Sequence, residues 1–230
     1  VAWFDSFAND YDNWYRSKLG NFVDAVEKRL IEEMVGFEQG ENILDIGSGT
    51  GNYSIWLAKK GLKVTGLDQS QAMMNIAKKK AAEENLAIDW VDADATQLPF
   101  PNESFDIVIS VTAIEFMGDI KAALTEAIRV LKPNGRLVIG VLTKDSPWGK
   151  LYQQMAEADK NNLFAKAHLF LEEELPDLLP LQYKLKKGLY ILPAEEFNEN
   201  DAWKVENSKQ LEQAENAGFF VVRWDKEELL

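Results

Sequence analysis

A chain of 230 residues with a formal net charge of −13 and no cysteine is long enough for one sizeable core with an appendage. The missing thiols exclude disulfides, thiolate metal sites and a thiol nucleophile, and the single histidine, His168, excludes a multi-histidine metal site within the chain, so no metal is expected. An acidic surface repels phosphate backbones and argues against nucleic acid as a partner. No run approaches the ~18 apolar residues of a membrane span, and no export leader is apparent, which fits a cytoplasmic place.

Residues 3–16 set Trp3, Phe4, Phe7, Tyr11, Trp14 and Tyr15 among Asp and Asn. They read as a helix packing its aromatics on the core, or as the cover of a site. Phe22, Val26, Leu30 and Met34 recur every four residues and predict an amphipathic, structural helix over 21–35. Gly36 and Gly40 bracket the loop into a buried strand that ends at Ile46. The turn Gly47-Ser48-Gly49-Thr50-Gly51 follows, then a helix over 52–60 closed by Gly61. Glycines let backbone approach a ligand and permit positive φ. The helix start offers unpaired N–H groups. A dinucleotide fingerprint wants a small residue at position 52, where this chain has Asn52.

The next strand, 63–67, ends at Asp68, where a carboxylate can accept from the two vicinal hydroxyls of a ribose. Its structural alternative is to cap the helix over 71–84, a role that Ser70 can fill instead. Met73 and Met74 read as packing against the sheet, with one of them near a bound base. A strand over 88–91 leads to a loop holding Asp92 and Asp94. Phe105–Val111 reads as a largely apolar run, as a parallel strand buried on both faces should be. Its end, Ser110 to Phe116, should border the reacting groups. A helix over 121–131 is broken by Pro133-Asn134-Gly135, and a strand over 137–142 follows. Beyond it, helices are expected over 147–161, 172–179 and 209–217, with strands over 183–192 and 219–224. Lys184, Lys186 and Lys187 read as a solvated strand face.

Asp45-x-Gly47-x-Gly49-x-Gly51 at the end of a first strand resembles motif I of the class I S-adenosylmethionine (SAM) methyltransferases. The resemblance continues, in the family's order and spacing, through Asp68, the loop Ala93–Phe100, the strand Ser104–Ser110 and the turn Arg129–Leu137. It covers roughly residues 40–142. The aromatic leader is similar to that of the ubiquinone/menaquinone-type C-methyltransferases and their small-molecule relatives, where such a segment tends to cover the cofactor. The resemblance implies an α/β, Rossmann-like doubly wound sheet of about seven strands, mostly parallel with an antiparallel last strand and helices on both faces. It implies one domain over 1–230, in which 1–35 forms a helical lid and 144–180 a cap over the substrate. Trp148, Tyr152, Phe164, His168 and Phe170 of that segment are possible pocket residues, though each also suits a core.

By the same resemblance, Asp45 organises the turn and the amino group of the methionine part, which Gly47, Ser48, Gly49 and Gly51 pass closely. Asp68 and Gln69 take the ribose, Asp94 and the N–H of Ala95 the adenine, and Ser110 and Tyr11 complete the cofactor set. The implied activity is in-line transfer of a methyl group from SAM to a C, O or N nucleophile of a small molecule, leaving S-adenosylhomocysteine. Holding both partners at near-attack distance can supply on the order of 7–11 kcal/mol. An enolate or phenolate can arrive activated, whereas a neutral amine or hydroxyl needs a proton acceptor. Tyr11, Glu115 and His168 are the candidates, none compelled by a motif. The competing readings are a SAM-binding regulatory protein without chemistry and a nicotinamide oxidoreductase on a similar sheet.

Overall fold

The computed structural model describes residues 3–193, 198–212 and 214–227. Seven strands form one sheet: β1 (Asn42–Ile46), β2 (Lys63–Asp68), β3 (Ile88–Asp92), β4 (Phe105–Val111), β5 (Leu131–Leu142), β6 (Tyr183–Gly188) and β7 (Phe219–Asp225). Their order is β3-β2-β1-β4-β5-β7-β6. Neighbours from β3 to β5 pair parallel, and β7 runs antiparallel to both β5 and β6. The chain winds outward from β1 to β3, then crosses back to β4. That reversal opens a crevice at the carboxyl ends of β1 and β4, where open α/β sheets bind ligands.

The central strands β1, β4, β5 and β7 are largely apolar in sequence because both faces are covered. Ile43, Ile107, Ile109, Val138 and Val221 pack into one core layer, while Leu44, Val108, Leu137, Ile139 and Val222 pack into the other. The period of two sends successive residues to opposite faces. The first layer lies under α2 (Lys18–Val35), through Phe22, Val26, Leu30 and Ile31. The second lies under α5 (Ile120–Val130), through Ala123, Leu124 and Ala127.

Capping sets the helix starts that matter to the site. Ser70 accepts from the Met73 N–H at 3.2 Å and caps α4 (Gln71–Glu83), which frees Asp68 as anticipated. Gly51 stands at the N-cap of α3 (Asn52–Lys59). Ser146 caps α6 (Pro147–Ala158), with Pro147 in its first turn.

The C-terminal third departs from the sequence expectation. The helix expected over 209–217 lies instead at α7 (Glu199–Leu211). Its apolar residues follow no helical stripe, and Leu211 is 87 % exposed. A buried acid anchors it instead: Glu206 accepts N–H bonds from Leu189, Tyr190 and Ile191. The same contact explains why β6 stops at Gly188 rather than running to 192. Leu189 turns to φ +64°, and the next N–H groups leave the ladder for the Glu206 carboxylate. α6 stops at Ala158 rather than 161, because Asp159 is extended. β5 begins at Leu131, earlier than expected, with an irregularity opposite Phe105–Ile107. Lys184, Lys186 and Lys187 are each paired, with Asp225, Glu33 and Glu172. Among the described residues, no helix is long and apolar enough to cross a membrane.

Candidate active site

The turn after β1 is fixed by its neighbours. The Gly47 and Ser48 N–H groups both donate to the Leu67 carbonyl, at 2.8 and 2.9 Å, tying the turn to the end of β2. Gly47 has φ +75°, and a Cβ there would lie 2.4 Å from the Ala113 Cβ, so a side chain is excluded both by conformation and by space. Gly49 has φ +53°, and no atom lies within 4 Å of where its Cβ would be; it presents bare backbone to open space.

Asp68 completes the frame. Its Oδ2 accepts the Gly49 N–H at 2.8 Å and its Oδ1 the Ser70 N–H at 2.7 Å. An ionised carboxylate has about four acceptor positions, so acceptor capacity remains for a ligand hydroxyl. Burial pushes its acidity weaker, against these backbone bonds. Asp45, 2 % exposed, accepts from the Ser54 hydroxyl at 2.6 Å. Burial is the main cause that raises its pKa to about 7, and the nearby Asp68 charge adds to it.

These groups line a cavity of about 480 Å³ at the crevice. Asp45, Gly47, Ser48, Gly49, Asp68, Gln69, Asp94, Ala95 and Tyr11 all stand on its wall. Asp94 there closes a local turn, its Oδ1 accepting from the Thr96 N–H at 2.8 Å and hydroxyl at 2.7 Å. Two of the expected cofactor residues stand off the wall. Gly51 sits where a Cβ would be 3.0 Å from Ala77 and Trp90, a close helix-packing position. Ser110 is buried and donates to the Ile46 carbonyl at 2.9 Å, bracing β4 against β1.

The aromatic leader folds over this cavity as a 3-10 turn (Trp3–Ser6) and α1 (Ala8–Arg16). Polar latches hold it. The Ser70 hydroxyl donates to Asp5 at 2.5 Å, the Thr50 hydroxyl to Asp12 at 2.6 Å, and Lys80 to Asp12 at 2.8 Å. Phe4 meets Phe116 edge to face, and Trp14 meets Trp148 in the same way. Lys166, from the 3-10 turn Leu163–Lys166, lies 4.0 Å from the Trp3 ring centre and closes the opposite rim.

A second cavity, about 330 Å³, lies behind the first. Phe4, Tyr11, Tyr15, Thr112 and Phe116 belong to both walls. Its remaining wall is largely apolar, with Trp148, Tyr152 and Phe164 from the 144–180 segment. His168 and Phe170 are on neither wall. His168 is half exposed and pairs with Glu174 at 3.1 Å, and Phe170 is core. Glu115 is also off both walls. It is 1 % exposed, accepts the Leu142 N–H at 2.7 Å through Oε1, and leaves Oε2 without a partner. Its burial raises its pKa to about 7, and its backbone carbonyl receives the His168 N–H at 2.7 Å. Glu115 and His168 therefore join β5 to the 144–180 segment and face neither cavity.

Sequence reasoning missed Glu27. It is 5 % exposed, lines the second cavity, and accepts from the Tyr53 hydroxyl at 3.2 Å. Burial, with Asp24 adding, raises its pKa to about 8. The signal was present: Val23, Glu27 and Ile31 form an i, i+4 row on the buried side of α2, interrupted by one acid.

The first cavity fits SAM on its own chemistry. Gly49 leaves a gap that backbone alone faces, Asp68 keeps acceptor positions at a strand end, and the buried Ser48 hydroxyl on the wall has no partner. Residues 44–139 match the model of a methyltransferase domain family. The chain belongs to the SAM-dependent methyltransferases, and SAM is its cofactor. It is 31 % identical, over 87 % of its length and 84 % of the relative's, to a demethylmenaquinone methyltransferase of Tropheryma whipplei. It is 33 % identical to a 2-phytyl-1,4-naphtoquinone methyltransferase of Synechococcus elongatus, over 67 % of each chain. A solved Thermotoga maritima structure, described as a SAM-dependent methyltransferase and possible histamine N-methyltransferase, superposes with a TM-score of 0.75 at 26 % identity, covering 98 % of both chains.

Proposed function

We propose that this enzyme methylates a small molecule held in the second cavity. The carrying observation is the shared wall: Tyr11, Tyr15, Thr112, Phe4 and Phe116 separate two adjoining spaces, one built for the cofactor and one largely apolar. Bound SAM supplies an electrophilic sulfonium methyl whose leaving group is a neutral thioether. The protein's part is positional. The turn Gly47–Gly49 presents backbone to the methionine portion, with Ser48 and Asp45 beside it. Asp68 and Gln69 take the ribose, and Asp94 and Ala95 border the adenine. Residues 1–35 act as a lid and 144–180 as a cap, so that the acceptor meets the methyl in a space from which water is excluded. The acidic surface favours a small acceptor over a nucleic acid, and a cytoplasmic place suits an enzyme drawing on SAM. Quinols, as the names of the relatives suggest, phenols and amines are the acceptor classes to try.

The test is transfer of label from methyl-labelled SAM to a panel of quinols, phenols and amines, beside titration with S-adenosylhomocysteine. Label in a small-molecule product is expected. Tight binding of S-adenosylhomocysteine with label entering only proteins, or nothing, would overturn the small-molecule reading.

A further inference from the structure

The charges around the second cavity discriminate among acceptors. Two carboxyls, Glu27 and Asp10, stand on its wall, and among the described residues no lysine, arginine or histidine does. Glu27 is the buried one. Asp10 is at the exposed rim. Aromatic rings form much of the rest: Trp14 and Trp148 edge to face, and Tyr152 stacked on Phe164 with centres 4.2 Å apart. An acceptor that arrives as an anion finds no cation here. A cation finds a carboxyl and ring faces, which attract it further.

We propose that the second cavity takes a compact aromatic amine in its ammonium form, with Glu27 as its counter-ion and proton acceptor. This rests on the reading of that cavity as the acceptor site. Glu27 accepts from the Tyr53 hydroxyl, and Tyr53 itself lines the cofactor cavity, so one hydrogen bond ties the carboxyl of the second cavity to the wall of the first. The ammonium passes one proton to the Glu27 carboxylate. The freed nitrogen lone pair then forms the N–CH3 bond while the S–CH3 bond breaks, its electron pair remaining on sulfur, and the product is a methylated ammonium.

The groups facing Glu27 are Asp24 and Lys28 of its own helix, Tyr53 of α3, Tyr11 and Tyr15 of α1, Tyr152 of α6 and the more distant Glu115. Burial and the neighbouring acids keep the carboxyl protonated at neutral pH, so an incoming ammonium must displace that proton.

The test is calorimetry on the full chain saturated with S-adenosylhomocysteine, using 2-phenylethylamine, 2-phenylethanol and 3-phenylpropionate as probes. The amine is expected to bind about tenfold more tightly than the alcohol, and the anion to give no measurable binding. At pH 7, amine binding should release a proton, read as a heat that changes with buffer ionisation enthalpy. Glu27→Gln should remove both the preference and the release. The proton count in the unaltered enzyme keeps the test decisive if that variant does not fold. Equal affinities for amine and alcohol, amine binding without proton release, or no amine binding would overturn the proposal. Failure of S-adenosylhomocysteine itself to bind would instead overturn the cofactor assignment beneath it.

Discussion

The two cavities are built by different means. The cofactor side is made of strand ends and backbone: the Gly47–Gly51 turn, the Leu67 carbonyl and the Asp68 carboxylate are all placed by sheet pairing. The second cavity, the proposed acceptor side, is made mainly of side chains from elements before β1 and after β5, with Thr112 and Phe116 after β4 and Leu142 of β5. A frame set by backbone tolerates little change, whereas a wall of side chains can be altered residue by residue. On the proposed assignment, the first fixes the cofactor and the second selects the acceptor.

The largest effect should come from Trp148→Ala. This ring is 1 % exposed, donates to the Ile191 carbonyl at 2.7 Å and packs on Trp14 and Tyr152. Removing it should cost about 3–5 kcal/mol in denaturant unfolding, while affinity for S-adenosylhomocysteine falls by less than about tenfold in the protein that remains folded. A larger loss of cofactor binding would mean that the two sides are one unit.

Next in size is a pH effect. Glu27 titrates near 4.5 when unfolded and at about 8 when folded. Its native state thus binds more protons between these values, and its stabilising contribution is complete below the lower one and lost as pH rises through the upper. Asp45 and Glu115, both raised to about 7, act in the same direction. Thermal unfolding should show stability falling from about pH 5 to pH 8, by an amount on the order of a few kcal/mol. Glu27→Gln should flatten the part of the fall nearest pH 8, and an unchanged profile would contradict the burial assigned to Glu27.

Asp12→Asn should have a smaller effect. The half-buried pair with Lys80 is weakened while the Thr50 bond remains, which costs about 1 kcal/mol. Hydrogen exchange should be faster in α1 and unaltered in β1 and β4. His168→Ala should do least. The side chain is 49 % exposed and faces neither cavity, so stability should move by about 0.5 kcal/mol or less. Loss of methyl transfer in that variant would place it in the chemistry after all.

The same contrast explains what the sequence made legible. The sheet was readable because Phe105–Val111 and Ile43–Ile46 are mostly apolar, broken only by Asp45, Asp106 and Ser110, as strands covered on both faces are. The cofactor turn was readable because close backbone approach demands glycine at Gly47 and Gly49. The elements around the sheet, by contrast, depend on contacts remote in sequence. Lys80 reaches Asp12 across 68 positions, and Glu206 holds the end of β6 from a helix with no apolar stripe. Nothing local announces such pairs. Glu27 lay between: its place in an apolar row was visible, but its exposure to a cavity required knowing which elements close around it. Ser110 shows the reverse case, a polar residue at a promising strand end whose hydroxyl serves the neighbouring strand.

The most direct test is a titration of S-adenosylhomocysteine into Asp68→Ala and Glu27→Gln side by side, each checked for folding. If Asp68 takes the ribose as proposed, loss of its charge-assisted bonds should weaken binding about 100-fold or more in Asp68→Ala, while Glu27→Gln stays within about threefold of the parent. Equal loss in both variants, or full affinity in Asp68→Ala, would contradict the division of the site into a cofactor cavity framed by backbone and an acceptor cavity framed by side chains.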